Sequence, residues 1–189
     1  MRVVKKPEER KAEMVAAATK LFVQQGFVRT SVAEIVTAVD VAKGLFYYYF
    51  TTKDDMVKAV VEGMCCYVGS LADTIAASEG GALEKLESLL EHQIWAQCFT
   101  QPLLADLCLP QHTALYADLC DRVYAHMAPA LESIIAQALC ERGHDGAKAK
   151  MIVGVGLYGI LMMARKGGMR MDDVGRMVRN LIASECAGA

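Results

Sequence analysis

The sequence has little of what marks exported, disulfide-linked or β-rich proteins. Only four of its 189 residues are proline, and the N-terminal stretch MRVVKKPEERK is charged, without the apolar run of a signal peptide. Its longest apolar run, residues 151–164, is too short to span a bilayer. We therefore expect a cytoplasmic protein that has no membrane partner.

Cysteine pairing and metal-ligand spacing are also missing. The seven cysteines are an odd number and include no Cys-x-x-Cys pair, so we expect reduced, mostly buried thiols rather than a disulfide framework. No two of the four histidines have a spacing typical of metal ligands on one helix. The sequence thus predicts neither a metal site nor a cofactor.

Apolar residues are abundant, at 54% of the chain, while the net charge is only −2. This composition excludes a disordered chain and suggests more buried surface than a monomer of this size needs. Strand-like alternation is nearly absent, whereas apolar residues recur at three- and four-residue steps, which favours an all-α protein. About nine helices are predicted, over residues 8–25, 32–39, 42–48, 53–78, 82–98, 103–107, 113–142 and 146–166, with a last one begun by Asp172.

Residues 30–56 contain the most informative pattern. Ser31 and Glu34 have the spacing of a capping box at the start of a short helix. Asp40 follows in a turn, and Asp is among the few residues that tolerate a left-handed conformation. A second short helix comes next, and Thr52 to Asp55 then form another cap. A helix, a short turn and a second helix are typical of the helix-turn-helix motif.

The second short helix has the composition of a DNA-reading element. It begins with Ala42, Lys43 and Gly44, which are small, basic and small, so its N-terminus could approach base edges in the major groove. Residues 1–55 hold nine Lys and Arg against seven Asp and Glu, a net charge of +2 that suits an anionic partner. Donors that could reach phosphates are Thr30, Ser31, Lys43, Tyr47, Tyr48, Tyr49 and Lys53.

Several motifs together resemble the N-terminal signature of the TetR family of transcriptional regulators. They cover about residues 8–57 and read Ala17-Ala18-x-x-Leu21-Phe22-x-x-x-Gly26-Phe27, Thr30-Ser-Val-x-x-Ile35, Lys43-Gly44-x-Phe46-Tyr47-Tyr48-Tyr49-Phe50 and Thr52-Lys53-Asp54. The resemblance implies a three-helix DNA-binding domain, here residues 1–52, and a helical effector-binding and dimerisation domain, here residues 53–189. Two residues depart from the family pattern: Asp40 replaces a usual turn glycine, and Ala42 stands where a hydroxyl residue is common.

By position, the resemblance implies base and nearby backbone contacts for Lys43, Gly44 and Tyr47. It implies phosphate contacts for Thr30, Tyr48, Tyr49 and Lys53, and core positions for Phe22, Ile35, Val41, Phe46 and Phe50. It further implies a homodimer that binds a palindromic double-stranded operator and is not an enzyme, most often a repressor that a small-molecule effector releases.

Two further sets of residues are predicted from the helices beyond residue 57. A pocket for the unknown effector could use aromatic, thiol, imidazole and thioether groups, namely Met64, Tyr67, His92, Trp95, Cys98, Tyr116, Cys120, Tyr124 and Met162. The resemblance places the dimer interface on the last two helices, for which the candidates are Gly156, Tyr158, Val174, Met177, Val178 and Leu181.

Two alternatives stay open from the sequence. Residues 154–159 match the dinucleotide fingerprint G-x-G-x-x-G, so a helical cofactor-binding protein or enzyme is one of them, although the thirty residues that follow have no strand pattern. A thiol- or metal-responsive regulator that uses Cys65, Cys66, Cys98 or Cys120 is the other.

Overall fold

The structure, a computed structural model, describes residues 6–91, 101–166 and 176, and this part of the chain consists of helices and the connections between them. Two short 3₁₀ turns, Pro110–His112 and Gly146–Lys148, precede the last two of its described α-helices. The helices are α1 (Pro7–Gln25), α2 (Val32–Ala38), α3 (Lys43–Tyr49), α4 (Lys53–Ala77), α5 (Ala82–Glu91), α6 (Pro102–Cys108), α7 (Thr113–Glu141) and α8 (Ala149–Arg165).

These bounds confirm the all-α prediction and lie close to the predicted ones. The largest difference is at the start of α8, where the carboxylate of Asp145 accepts from the Ala147 N–H at 2.9 Å and caps a 3₁₀ turn before the α-helix begins. The predicted final helix and the predicted extension of α5 to residue 98 lie outside the described residues. All five described cysteines are thiols; Cys65 and Cys120 are buried, whereas Cys66 and Cys140 are exposed.

The described residues form two compact units, and the first comprises residues 6–64 and 101–119. Its core contains Met14, Phe22, Ile35, Phe46 and Met56, none of which has any exposed surface. Helix α6 packs against α1 in the same unit. The domain boundary predicted at residue 52 stays a prediction, but a segment beyond it evidently packs with the N-terminal helices.

The contact between α6 and the end of α1 is polar as well as apolar. Gly26 ends α1 with φ 83°, a backbone conformation that favours glycine, and a Cβ atom there would collide with the carboxylate of Asp106. The same carboxylate accepts from the Val28 N–H at 2.8 Å. Phe27 is buried between Phe22 and His112, with ring centroids 6.2 and 4.8 Å away. Phe27 thus folds back on α1.

The second unit comprises the other described residues, 65–91, 120–166 and 176. Its core is built from α4, α5 and α7, with Ala72, Leu86 and Ile134 among the most buried residues. Polar contacts close its α4–α5 turn: the Glu141 carboxylate accepts from the Ala82 N–H at 3.3 Å, and Lys85 Nζ donates to the Ala76 carbonyl at 3.0 Å.

Helix α8 exposes many of its apolar residues. The sequence predicts that this apolar helix is covered on every side, yet Val155 is 74% and Met151 65% exposed within the chain. Helix α4 and residues 146–165 are each long and apolar enough to cross a membrane. Core helices of water-soluble proteins also meet this criterion of length and composition. In α8 the apolar surface is therefore available for a partner.

Candidate nucleic-acid interface

Helix α2 begins with the predicted capping box. Ser31 Oγ accepts from the Glu34 N–H at 3.2 Å, and the Glu34 carboxylate accepts from the Ser31 N–H at 2.7 Å and from its hydroxyl at 2.8 Å. The hydrogen bonds from the Ser31 backbone, its hydroxyl and Gln25 hold the pKa of Glu34 below its usual value of 4.5. These bonds fix where α2 begins, and so the position of the motif.

The turn between α2 and α3 has the predicted left-handed residue. Asp40 has φ 52°, the only positive value at a non-glycine residue in the part of the chain described. Its N–H donates to the Thr37 carbonyl at 3.2 Å, and the Val41 N–H donates to the Val36 carbonyl at 3.0 Å. The turn thus closes on α2 and directs the chain into α3.

Helix α3 has one buried and one exposed face. Phe46 is fully buried and lies 5.6 Å from the Phe50 ring, centroid to centroid. Residues next to it on a helix must point elsewhere, since neighbours are about 100° apart. Tyr47 is accordingly 52% and Tyr48 75% exposed, while Tyr49 is half-buried, with its ring 4.9 Å from that of Tyr48. Two phenol groups therefore face outward.

The N-terminus of α3 is accessible. Ala42, Lys43 and Gly44 are all exposed, and a Cβ atom built on Gly44 would meet no heavy atom within 4 Å. Nothing inside the described chain thus requires glycine at this position. The Lys43 ammonium lies 6.0 Å from the centre of the Tyr47 ring, so a cation and a phenol share one surface. We call Ala42, Lys43, Gly44, Tyr47 and Tyr48 the α3 face.

Thr30 has a different role from the predicted phosphate contact. Its side chain is 1% exposed, and its hydroxyl donates to the Gly26 carbonyl at 2.7 Å and accepts from Gln25 Nε2 at 3.1 Å. A buried hydroxyl with both partners inside the protein stabilises the α1–α2 connection and does not reach a phosphate. The structure therefore contradicts this prediction for Thr30.

Lys53 also makes internal contacts that the sequence did not indicate. Its half-buried ammonium group donates to the carbonyls of Phe27 at 2.9 Å and Thr30 at 3.3 Å, and so ties the start of α4 to the α1–α2 connection. Because a lysine has three donors, the phosphate contact stays a prediction. Beside it, the Asp55 carboxylate accepts from the Thr52 N–H at 2.8 Å, as the cap predicts, and its pKa is lowered by hydrogen bonds from the Thr52 hydroxyl and N–H.

The predicted effector-pocket residues do not share one environment. Tyr116 and Cys120 are buried, Met64 and Tyr124 are half-buried, and Tyr67 and Met162 are exposed, which argues against the last two as lining of an enclosed pocket within the chain. His92, Trp95 and Cys98 lie outside the described residues.

Tyr158, predicted at the dimer interface, packs within the second unit. Its ring stacks on that of Tyr124 with centroids 5.2 Å apart, and its hydroxyl donates to Asp121 Oδ1 at 3.0 Å. That hydrogen bond raises the pKa of Tyr158. Tyr158 is still 38% exposed, and Gly156 is exposed as well, whereas Val174, Met177, Val178 and Leu181 lie outside the described residues.

The dinucleotide-binding alternative is not supported by the local structure. Residues 154–159 lie inside α8 and not at a turn between a strand and a helix. A G-x-G-x-x-G sequence binds a pyrophosphate through the backbone of such a turn, which a continuous helix does not offer. The match is therefore incidental to helical spacing.

Comparisons with known proteins agree with this helix-turn-helix geometry. Residues 14–60 match the family model described as "Bacterial regulatory proteins, tetR family". The HTH-type transcriptional regulator HbdR of Aromatoleum sp. (strain CIB) is 33% identical over 91 residues, 48% of this chain and 38% of HbdR. The HTH-type transcriptional repressor NemR of Escherichia coli (strain K12) is 26% identical over 104 residues, 50% of this chain and 52% of NemR. The match to these curated relatives thus spans about half of their length or less.

Solved structures extend the similarity of fold to most of the chain. RolR without ligand superposes with a TM-score of 0.67 at 15% identity, covering 90% of this chain and 89% of RolR. A RolR complex with resorcinol superposes with a TM-score of 0.62 at 18% identity, covering 93% and 86%. Residues 14–60 thus match the model of the tetR family, and the solved structures show that most of the chain shares the fold of RolR.

Proposed function

We propose that the chain is a homodimeric repressor that binds a palindromic DNA operator and leaves it when a small-molecule effector binds. The observation that carries this proposal is the α3 face. It combines a small, uncrowded helix N-terminus, a lysine and two outward phenol groups on a helix that a buried Phe46 holds in place. Small residues let a helix approach base edges, and lysine and tyrosine donate to phosphates.

The sign of regulation is supported by a relative. NemR is named a repressor, and a bound helix-turn-helix dimer can block other proteins from the same DNA. In this chain Lys43, Gly44 and Tyr47 would contact the bases and the nearby DNA backbone, while Tyr48, Tyr49 and Lys53 would donate to phosphates on either side. Ser31 is left out of this set because its hydroxyl and its N–H both donate to Glu34.

Dimerisation is supported by the exposed apolar surface of α8. Ile152, Val155, Gly159 and Met163 recur at helical spacing, and all are exposed. Gly156 and Gly159 have open space where a Cβ atom would be, so a second helix could approach the α8 backbone closely. A two-fold dimer would bury this surface against its own copy. It would also present two α3 faces to half-sites one helical turn, about 34 Å, or a multiple apart.

An effector site is proposed for the helical second unit. RolR has been solved with resorcinol bound, which shows a small aromatic ligand on this fold in that protein. Cys120 and Tyr124 lie one turn apart on α7 and offer a thiol and a phenol there. Effector binding would favour a conformation in which the two α3 faces no longer match the operator spacing.

DNA binding is tested by selecting bound sequences from random DNA and measuring their affinity at several salt concentrations. Each phosphate contact by a cation should contribute about −0.9 to the slope of log K against log[salt]. Lys43→Met should make the slope less negative by about 0.9, the contribution of one contact. Lys150→Met, at another exposed lysine, is the matched control and should leave it unchanged. A slope near zero for the parent protein would refute phosphate recognition.

Dimerisation is tested by sedimentation of Val155→Glu. A charge at the centre of the α8 surface would face its own copy across the two-fold axis, so the dimer should dissociate and operator affinity should fall. Leu83→Glu, at a 38% exposed apolar residue of α5, is the control and should remain dimeric. A parent protein that sediments as a monomer, or a Val155→Glu variant that remains a dimer, would contradict the proposed interface.

A further inference from the structure

A thiol and an imidazole are brought together in the second unit. Cys66 Sγ of α4 lies 3.7 Å from His126 Nε2 of α7. Cys66 is exposed although the preceding residue, Cys65, is buried, so its thiol lies outside the core, and His126 is half-buried. A metal ion can therefore reach the pair from solvent.

The packing of α4 against α7 positions Cys66 and His126 side by side, because the two helices approach closely next to this pair. Gly69 lies three residues after Cys66 on α4, and a Cβ atom there would be 2.9 Å from the His126 carbonyl oxygen and 3.0 Å from the His126 Cβ. Val68 and Met127, the neighbours of Gly69 and His126, are buried in one core cluster. The backbone of His126 is thus held against α4, which places its ring beside Cys66.

A carboxylate lies on the same helix as Cys66. Glu62 lies four residues before Cys66, one helical turn away, and side chains at this spacing lie on the same face of a helix. Thiolate sulfur, imidazole nitrogen and carboxylate oxygen are the three protein ligand types that zinc accepts. We propose that Glu62, Cys66 and His126 form a binding site for a divalent transition-metal ion of the zinc class.

The chemistry of binding is a simple exchange of a proton for the metal. The Cys66 S–H bond breaks, the proton passes to solvent, and the sulfur forms its bond to the metal without any change of oxidation state. His126 contributes the lone pair of neutral Nε2, and Glu62 a carboxylate oxygen. Three protein ligands leave one tetrahedral position for water. Sequence spacing did not reveal this site because Cys66 and His126 are sixty residues apart.

The site can be tested independently of DNA binding by titrating reduced, metal-free, full-length protein with Co²⁺. Thiolate coordination gives a sulfur-to-cobalt charge-transfer absorption, which should saturate at one equivalent per chain and disappear on addition of Zn²⁺. Cys66→Ser should abolish the absorption. His126→Ala and Glu62→Gln should each weaken Co²⁺ binding by more than about tenfold, since even residues that only orient a ligand contribute about 10- to 100-fold.

Cys140→Ser is the matched control, because Cys140 is the other exposed cysteine of the described residues and lies away from the three ligands along α7. It should bind Co²⁺ as the parent does. The proposal is overturned if the parent shows no charge-transfer absorption, if Cys66→Ser keeps it, or if His126→Ala binds Co²⁺ as tightly as the parent. An unchanged affinity in Glu62→Gln would overturn the assignment of the third ligand.

Discussion

Replacing Gly44 by alanine should separate DNA recognition from stability. Gly44 is the second residue of α3, is exposed, and has no heavy atom within 4 Å of the position that a Cβ would take. Its backbone is not in the left-handed region, so alanine fits without strain. Alanine is favoured over glycine in a helix interior by about 0.8–1 kcal/mol, and a first-turn position should gain roughly half of this. The free energy of unfolding should therefore rise by about 0.5 kcal/mol.

Operator affinity should change in the opposite direction. If α3 enters the major groove with its N-terminus, the added methyl group occupies space that a base edge or sugar needs. One good base contact contributes about 1–3 kcal/mol. Loss of 1.4 kcal/mol is a factor of about ten in Kd. We therefore expect Gly44→Ala to bind its operator at least about fivefold more weakly although the protein is more stable.

The assays are urea unfolding followed by circular dichroism and fluorescence anisotropy with labelled operator DNA. Gly63→Ala is the matched control, because Gly63 is also helical, exposed and uncrowded but lies on α4. It should gain stability without losing affinity. Unchanged affinity in Gly44→Ala would refute a close approach of DNA to α3. Lower stability in either variant would refute the open space around these glycines.

Three other predictions concern the same half of the chain. Thr30→Val should lower the free energy of unfolding by about 1–3 kcal/mol in urea, because it leaves the Gly26 carbonyl without its donor, whereas Thr30→Ser should retain most of the stability. The folded-state pKa of Glu34 lies below its usual 4.5, so its contribution to the free energy of unfolding is complete above pH 4.5 and is lost as the pH falls below that value. In acid titrations the parent should therefore lose more stability than Glu34→Gln, and equal losses would contradict this. Tyr48→Phe should leave urea unfolding unchanged and weaken operator binding severalfold, since its exposed hydroxyl would donate to a phosphate; an unchanged Kd would contradict that role.

Features that depend on neighbours in sequence could be predicted accurately. The capping box of Ser31 and Glu34 uses contacts only three residues apart, and the left-handed Asp40 reflects its own local conformational preference. The outward tyrosines follow from helical geometry once Phe46 is placed in the core. Helix bounds were predictable for the same reason, because periodicity and caps are local signals.

Roles that depend on distant residues could not be predicted. Lys53 donates to carbonyls 23 and 26 residues away, and Asp106 accepts from an N–H 78 residues away. Neither contact leaves a periodic or spacing signal, because a side chain can hydrogen-bond to a backbone carbonyl or N–H wherever the fold brings the two groups together. Thr30 was misassigned for this reason: a hydroxyl beside a predicted DNA-binding helix suits a phosphate contact, and only the packing shows that it is buried. The Cys66–His126 pair is likewise a product of helix packing.

The packing of α6 against the end of α1 limits how the family's N-terminal signature can be exchanged between proteins. A chimera joined after residue 64 would inherit Gly26 and Val28 without the carboxylate of Asp106, and Phe27 without the ring of His112. Residues 6–64 and residues 101–119 should therefore be transplanted together, as two stretches of sequence that form one module. Replacing α6 alone with the corresponding helix of a related protein should likewise be tolerated only when that helix has an acidic residue at the position of Asp106.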